Sequence, residues 1–205
     1  MKYIIMAGGP ATRWRKYKHT TKHLIKIGKE NLLERLVRQL KENKAEEIFI
    51  VSDNELYETP GATRLPLIYD CKLFNMFYYK YLDEPVTFLY GDTYYYDSII
   101  EKIINKPTDD ILFFGTQESI VAIKVINHTK FKYNVDKLRK KEIETGKKIN
   151  RAGWSIYKKI NNIKTEDKTP LLENFSLINE NEIANVNDQK EYEALIKKIN
   201  NQIRF

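Results

Sequence analysis

Between Met6 and Leu24 the chain reads MAGGPATRWRKYKHTTKHL, with seven basic or histidine positions and no acidic one. Gly8 and Gly9 come first, then Arg13 and Lys22. A loop that hugs a polyphosphate needs inward-facing backbone N–H groups with no Cβ in the way, which adjacent glycines offer. It also needs cations that offset the ligand's charge as it leaves water. The arginine fork can hold two phosphate oxygens at once, and a lysine supplies a compact point charge. The spacings G-x-x-x-x-G-K-[ST] and G-x-G-x-x-G are both absent, so this is neither a Walker loop nor a dinucleotide fingerprint. Taken alone, the same residues could also form a nucleic-acid patch or a solvated basic loop after a Gly-Gly turn.

A second chemical feature is VTFLYGD (residues 86–92), an apolar run ending on Gly91-Asp92. A triphosphate reacts through a divalent metal that bridges its phosphates. Magnesium keeps several waters and takes only one or two hard oxygen ligands from protein. Asp92 is such an oxygen; an aspartate that merely opens a turn is the plainer alternative. A third feature, EIANVND, places Asn185, Asn187 and Asp188 just before the last helical pattern. Helix capping competes there with metal ligation. His19, His23 and His128 have no zinc spacing. The lone Cys71 excludes an intrachain disulfide and reads as a small buried apolar residue.

These residues need a scaffold. Lys2–Met6 is a short apolar run ending at the glycines, a buried strand. Residues 31–44 set Leu32, Leu33, Leu36, Val37 and Leu40 on one helical face, and residues 46–53 read as the next strand. Strand, loop, helix, strand is a βαβ opening. Further strands are expected at LPLIYD, VTFLYGD, DDILFFG, SIVAIKVI and AGWSIY (residues 152–157). Helices are expected at residues 71–82, DSIIEKIIN, NVDKLRKKEIETG and residues 188–203. The fold class is α/β: a single Rossmann-like three-layer domain over residues 1–205, with a mostly parallel mixed sheet. Such sheets bind ligands outside the carboxyl ends of their strands. All three chemical features fall beside expected strand ends.

Composition bounds the rest. An apolar share of 42% with 14 Tyr and 9 Phe suits a globular chain. The net charge of +7 suits an anionic partner, although abundant Lys, Ile, Asn and Tyr also fit an AT-rich coding bias. No stretch approaches the ~18 apolar residues of a membrane span. The opening MKYIIMAGG is too short an apolar run for a signal peptide, so a cytoplasmic location is expected, with no membrane partner.

The segment IIMAGGPATRWRKYKHTTKHLIKIGKENLLERLVRQL resembles the N-terminus of the sugar-phosphate nucleotidyltransferases, whose signature is roughly A-G-G-x-G-T-R-(x)n-P-K-x-L. Ala7, Gly8, Gly9, Thr12, Arg13, Lys22 and Leu24 fall on that pattern, while Ala11 replaces a glycine and Thr21 a proline. The resemblance implies a nucleotidyltransferase of the GT-A-like fold that moves an NMP from an NTP to a phosphorylated small molecule and releases pyrophosphate. It implies nucleotide contacts from Ala7, Gly8, Gly9, Thr12, Arg13, Lys22 and Gly91, with Arg13 and Lys22 catalytic. It implies Mg²⁺ on Asp92 and Asn187. It also implies an acceptor site at Gly153 and Trp154, with Arg151 or Lys124 near the acceptor phosphate. Tyr94, Tyr95 and Tyr96 could wall the site, with some of them facing the core instead. CTP, UTP, GTP and dTTP are all candidate donors. Phosphocholine or a simple sugar phosphate is the expected acceptor. Two alternatives stand beside this reading: a nucleotide-sugar glycosyltransferase, which usually carries D-x-D where this chain has Gly91-Asp92-Thr93, and a basic nucleic-acid binder.

Overall fold

A computed structural model describes residues 1–9, 13–14, 17–67, 77, 83–147, 149, 151–164 and 169–202. In chain order the elements begin with β1 (Lys2–Met6), the short pair β2 (Lys26–Ile27) and β3 (Glu30–Asn31), and α1 (Leu32–Glu42). Next come β4 (Glu47–Val51), β5 (Thr63–Leu65), β6 (Val86–Tyr90), β7 (Thr93–Tyr95) and α2 (Asp97–Asn105). Then follow β8 (Ile111–Gly115), β9 (Ile120–Val125), α3 (His128–Thr145) and α4 (Ala152–Ile160). The chain closes with β10 (Phe175–Leu177), β11 (Ile183–Asn185) and α5 (Gln189–Gln202).

The main sheet has seven strands in the order β10-β8-β9-β6-β1-β4-β5. Its strands pair in parallel except at β9, which runs antiparallel to both neighbours. Alternation along β1 divides the core between the two faces of the sheet. Ile5 meets Leu33, Leu36 and Leu40 of α1 and Ile100 and Ile103 of α2. Ile4 and Met6 join Phe131 and Val135 of α3 and Ile156 and Tyr157 of α4 on the other face. The result is the expected three-layer arrangement. A capping box starts α1: Asn31 Oδ1 accepts from the Glu34 N–H at 2.9 Å, and the Asn31 N–H donates to Glu34 at 2.8 Å.

Three elements differ from expectation. AGWSIY is not a strand but the start of α4. Ala152, Ile156 and Ile160 recur every four residues on its buried side, and that helical stripe outweighs the β preference of Trp, Ile and Tyr. Helix α3 begins six residues before NVDKL, because Asn127 Oδ1 caps it by accepting from the Lys130 N–H at 3.1 Å. The strand expected at LPLIYD is seen only as β5, which it shares at Leu65; residues 68–70 lie outside the described residues. The helix expected over 71–82, with Cys71, also lies outside them, apart from Phe77. Phe77 is buried with its ring 5.0 Å from that of Phe88.

Candidate active site

Strands β1, β4 and β6 finish level with one another, with Met6 paired to both Val51 and Tyr90. The chain leaves this edge at Ala7, whose N–H still donates to the Val51 carbonyl at 3.2 Å. Gly8 and Gly9 are half-buried just beyond. Thr12 lies outside the described residues. Arg13 opens onto a cleft of about 720 Å³ at this edge of the sheet.

The residue after Arg13 holds the loop down. Trp14 is buried, donates its indole N–H to the Thr20 carbonyl at 2.8 Å, and packs edge-on against Tyr17 and Tyr192. With Ile25, Leu32, Tyr94, Val186 and Leu195 it forms a small separate core that ties the loop to α5. One tryptophan among basic residues was the visible signal for this anchor, and its function as a clamp needed the fold.

Beyond the anchor, Lys22-His23-Leu24 forms a single tight turn that buries Lys22 and His23. The Lys22 ammonium makes an ion pair with Asp92. His23 Nδ1 is 2.9 Å from the Tyr57 hydroxyl, and the two rings meet edge to face. Burial pushes the His23 pKa down from 6.5 to about 3, against a smaller upward pull from Asp92. The folded protein therefore binds no proton at His23 between about pH 6.5 and 3, whereas the unfolded chain does. The sign follows: this group's share of stability is whole above pH 6.5 and is lost on acidification. The free energy of unfolding should fall by up to about 1.4 kcal/mol per pH unit on this account. Chemical denaturation between pH 7 and pH 4 checks it, with His23→Phe expected to flatten the slope by one proton.

Gly91 is a packing glycine. It is buried, its N–H donates to the Met6 carbonyl at 3.0 Å, and a Cβ there would lie 3.1 Å from Ile5 Cγ2 and from that carbonyl. The same Cβ would lie 3.3 Å from the His23 ring, so the glycine is required by close packing against β1 and His23.

Asp92 and Asn187 are 95 residues apart and are brought together by a two-stranded ribbon, β7 with β11. Thr93 faces Asn185 in antiparallel register, and the Val186 N–H donates to the Asp92 carbonyl at 2.8 Å. The cap of α5 is Asp188, whose Oδ1 accepts from the Glu191 N–H at 3.0 Å, while Glu191 accepts the Asn187 N–H at 2.7 Å. Capping therefore falls to Asp188 and not to the Asn187 amide. Both Asp92 and Asn187 line the cleft. A carboxylate and an amide oxygen are hard donors, and two of them in a polar cleft suit a magnesium ion shared with phosphates. Among the described residues no group of three or more His, Cys, Asp or Glu could enclose a metal by itself.

On the far wall are Arg151, Gly153 and Trp154, at the first turn of α4. Trp154 donates its indole N–H to the Glu118 carbonyl at 3.0 Å and stacks on Phe175. Tyr90, at the end of β6, was not singled out in the sequence. Its hydroxyl meets the Gly153 backbone, and burial pushes its pKa well up. A Cβ on Gly153 would lie 2.8 Å from that hydroxyl and 3.2 Å from Ile120 Cβ. Gly153→Ala should therefore cost about 1–3 kcal/mol by overpacking. At roughly 2–4 °C per kcal/mol for a chain of this size, a thermal melt should show a drop of about 2–12 °C.

One expectation is corrected. Lys124 is not in the cleft. It is buried in β9, and its ammonium donates to the carbonyls of Ile104 and Lys106 at 2.8 Å, satisfying the end of α2. The strand alternation that buries it at that end could not be told from sequence. The tyrosine run is also mainly structural. Tyr95 is buried, its hydroxyl donating to the Val121 carbonyl at 2.6 Å, and Tyr94 is buried under the Arg35 guanidinium.

With this geometry in view, the comparisons with known proteins fall into place. Residues 3–75 match the MobA-like NTP transferase domain. Solved structures share the fold over nearly the whole chain. The CTP:phosphocholine cytidylyltransferase of Streptococcus pneumoniae superposes with a TM-score of 0.63 at 17% identity, covering 97% of this chain and 98% of that one. Rv0371c of Mycobacterium tuberculosis H37Rv gives 0.63 at 10% identity, covering 96% and 97%. The nucleoside-diphosphate-sugar pyrophosphorylase of Vibrio cholerae RC9 gives 0.60 at 11% identity, covering 96% and 100%. No curated protein matches the chain significantly. The chain thus shares the fold of these structures over nearly its whole length and matches the NTP transferase domain over residues 3–75. Among the described residues no helix is long and apolar enough to cross a membrane.

Proposed function

We propose that the chain is a single-domain, magnesium-dependent nucleotidyltransferase of residues 1–205, acting in the cytoplasm. It transfers an NMP from CTP, UTP, GTP or dTTP to a phosphorylated small molecule. The observation that carries this reading is the convergence of Arg13, Asp92 and Asn187 on one cleft, with buried Lys22 paired to Asp92.

Each residue has a physical task in that reaction. An acceptor phosphate oxygen attacks the α-phosphorus, the bond from that phosphorus to the bridging oxygen breaks, and pyrophosphate leaves with the electron pair. A phosphate monoester is already anionic at neutral pH, so no general base is needed. What remains is positioning and charge stabilisation. The backbone of Ala7, Gly8 and Gly9 borders base and ribose, and Thr12 is assigned as a further nucleotide contact. Arg13 grips the departing pyrophosphate, and Lys22 stabilises charge at the α-phosphate. Asp92 and Asn187 would hold Mg²⁺, which when bound neutralises charge on the triphosphate. Arg151, Gly153 and Trp154 position the acceptor.

The acceptor is a phosphocholine-like alcohol phosphate or a simple sugar phosphate. Support comes from the cleft itself, which Arg151 lines together with Trp154, Glu118 and Glu180. It comes also from the fold shared with a phosphocholine cytidylyltransferase and a nucleoside-diphosphate-sugar pyrophosphorylase. The test is a matrix of the four NTPs against phosphorylated sugars and alcohols, reading pyrophosphate with Mg²⁺ present or chelated. Metal-dependent release that requires one acceptor supports the proposal. Absence of release in every cell of the matrix refutes it.

A further inference from the structure

Asn185 reaches across the cleft floor with both ends of its side chain occupied. Its Oδ1 accepts from the Thr93 hydroxyl at 3.1 Å, one residue after Asp92. Its Nδ2 donates to the Ser119 hydroxyl at 3.3 Å, in the turn that leads into β9. That turn is itself pinned: Thr116 Oγ1 accepts from the N–H groups of Glu118 and Ser119 at 3.1 and 3.2 Å, and the Thr116 N–H donates to the Ser119 carbonyl at 2.9 Å. Thr93 and Thr116 are buried, and this string of hydroxyls and one amide runs along the lining of the cleft.

The ribbon that carries Asp92 and Asn187 is a separate two-stranded sheet and takes no part in the ladder of the seven-stranded one. Three residues per strand give it little intrinsic rigidity. The Gly91 N–H, bonded to the Met6 carbonyl, holds the root of the ribbon, and side chains add to that hold on its angle to the main sheet. Tyr95 does this at one end, through the Val121 carbonyl. Asn185 does it at the end where Asp92 and Asn187 sit.

We infer that Asn185 is a positioning residue that fixes the separation of Asp92 and Asn187 by tying their ribbon to the Ser119 turn. The inference rests on the reading of Asp92 and Asn187 as metal ligands. With its amide oxygen and nitrogen both engaged, Asn185 is a strut, and the neighbouring Asn187 is the group presented to a cation.

The test measures metal binding apart from turnover. Mn²⁺ is titrated into protein holding the α,β-methylene analogue of CTP, UTP, GTP or dTTP, each in turn, and protein-bound Mn²⁺ is followed by water-proton relaxation. Asn185→Ala, Thr93→Val and Ser119→Ala should each weaken the ternary complex by about 10–100-fold, the usual effect of removing a group that orients a ligand. The double variant Asn185→Ala/Thr93→Val should bind no more weakly than Asn185→Ala alone, because both break the same strut. The strut is overturned if Asn185→Ala binds Mn²⁺ like the wild type, whatever its melting temperature. It is also overturned if Asn185→Ala loses the metal while Thr93→Val and Ser119→Ala keep it, since Asn185 would then be a ligand. Wild-type protein that forms no ternary complex with any analogue would instead remove the parent reading, and the strut with it.

Discussion

Asp92→Asn should keep its fold and its affinity for NTP, while pyrophosphate release falls by about 100–1,000-fold or more. The magnitude follows from removing a fixed charge where charge develops in the transition state. Asn187 is uncharged, so Asp92 supplies the whole negative charge of the pair that faces the cation. The substitution keeps an oxygen in place and removes the charge. Asparagine is a better probe here than alanine because of Lys22. That side chain is only 8% exposed, and deleting its partner outright would leave a buried ammonium without an acceptor. Such orphaned charges cost several kcal/mol, about 3–5 in measured cases. The asparagine oxygen still accepts from Lys22 and limits that loss. Three measurements decide the outcome: a thermal melt, NTP binding without metal, and the Mg²⁺ dependence of pyrophosphate release. Turnover within tenfold of the wild type, at unchanged Mg²⁺ dependence, would mean that Asp92 does not hold the ion.

Much of the scaffold is written in short-range pattern. Leu32, Leu33, Leu36, Val37 and Leu40 repeat at helical spacing and lie buried on α1, and the apolar runs ending at Met6 and Tyr90 are neighbouring strands of the sheet. Asp92 was singled out because it directly follows such a run, and it lines the cleft at the end of β6. What could not be read is whatever depends on which strands become neighbours. Lys124 looked like a cation for the acceptor, but β9 runs antiparallel, which turns that end away from the cleft and toward the carbonyls ending α2. The need for a glycine at Gly91 likewise comes from its close approach to β1 and His23, which no local pattern reveals. The ribbon of β7 and β11 joins segments about ninety residues apart, and no local periodicity announces it. The helix at Ala152 was hidden for a different reason: Trp, Ile and Tyr favour strands in isolation, while the four-residue stripe of Ala152, Ile156 and Ile160, buried in one cluster with Phe113 and Phe175, favours a helix here.

Lys22→Met separates what the Lys22–Asp92 pair does for folding from what it does for chemistry. Methionine keeps much of the side-chain volume and removes the charge, so the turn of Lys22-His23-Leu24 should remain packed. If Lys22 stabilises charge at the α-phosphate, turnover should fall by about 100-fold or more, an effect on kcat larger than on the KM for NTP. The double variant Lys22→Met/Asp92→Asn then tells the two roles apart. Replacing both members of a buried ion pair is often neutral or stabilising, whereas breaking one partner is costly. The double variant should therefore melt at or above the single variants. Its turnover should stay close to that of the worse single variant, because groups acting on one transition state lose their effects together and not in proportion. Melting curves and pyrophosphate release measured on the same four proteins close the cycle. Recovery of turnover along with stability in the double variant would show that the pair only holds the loop to β6. Recovery of stability without turnover would place the reaction at the junction of the loop after β1 and the carboxylate after β6.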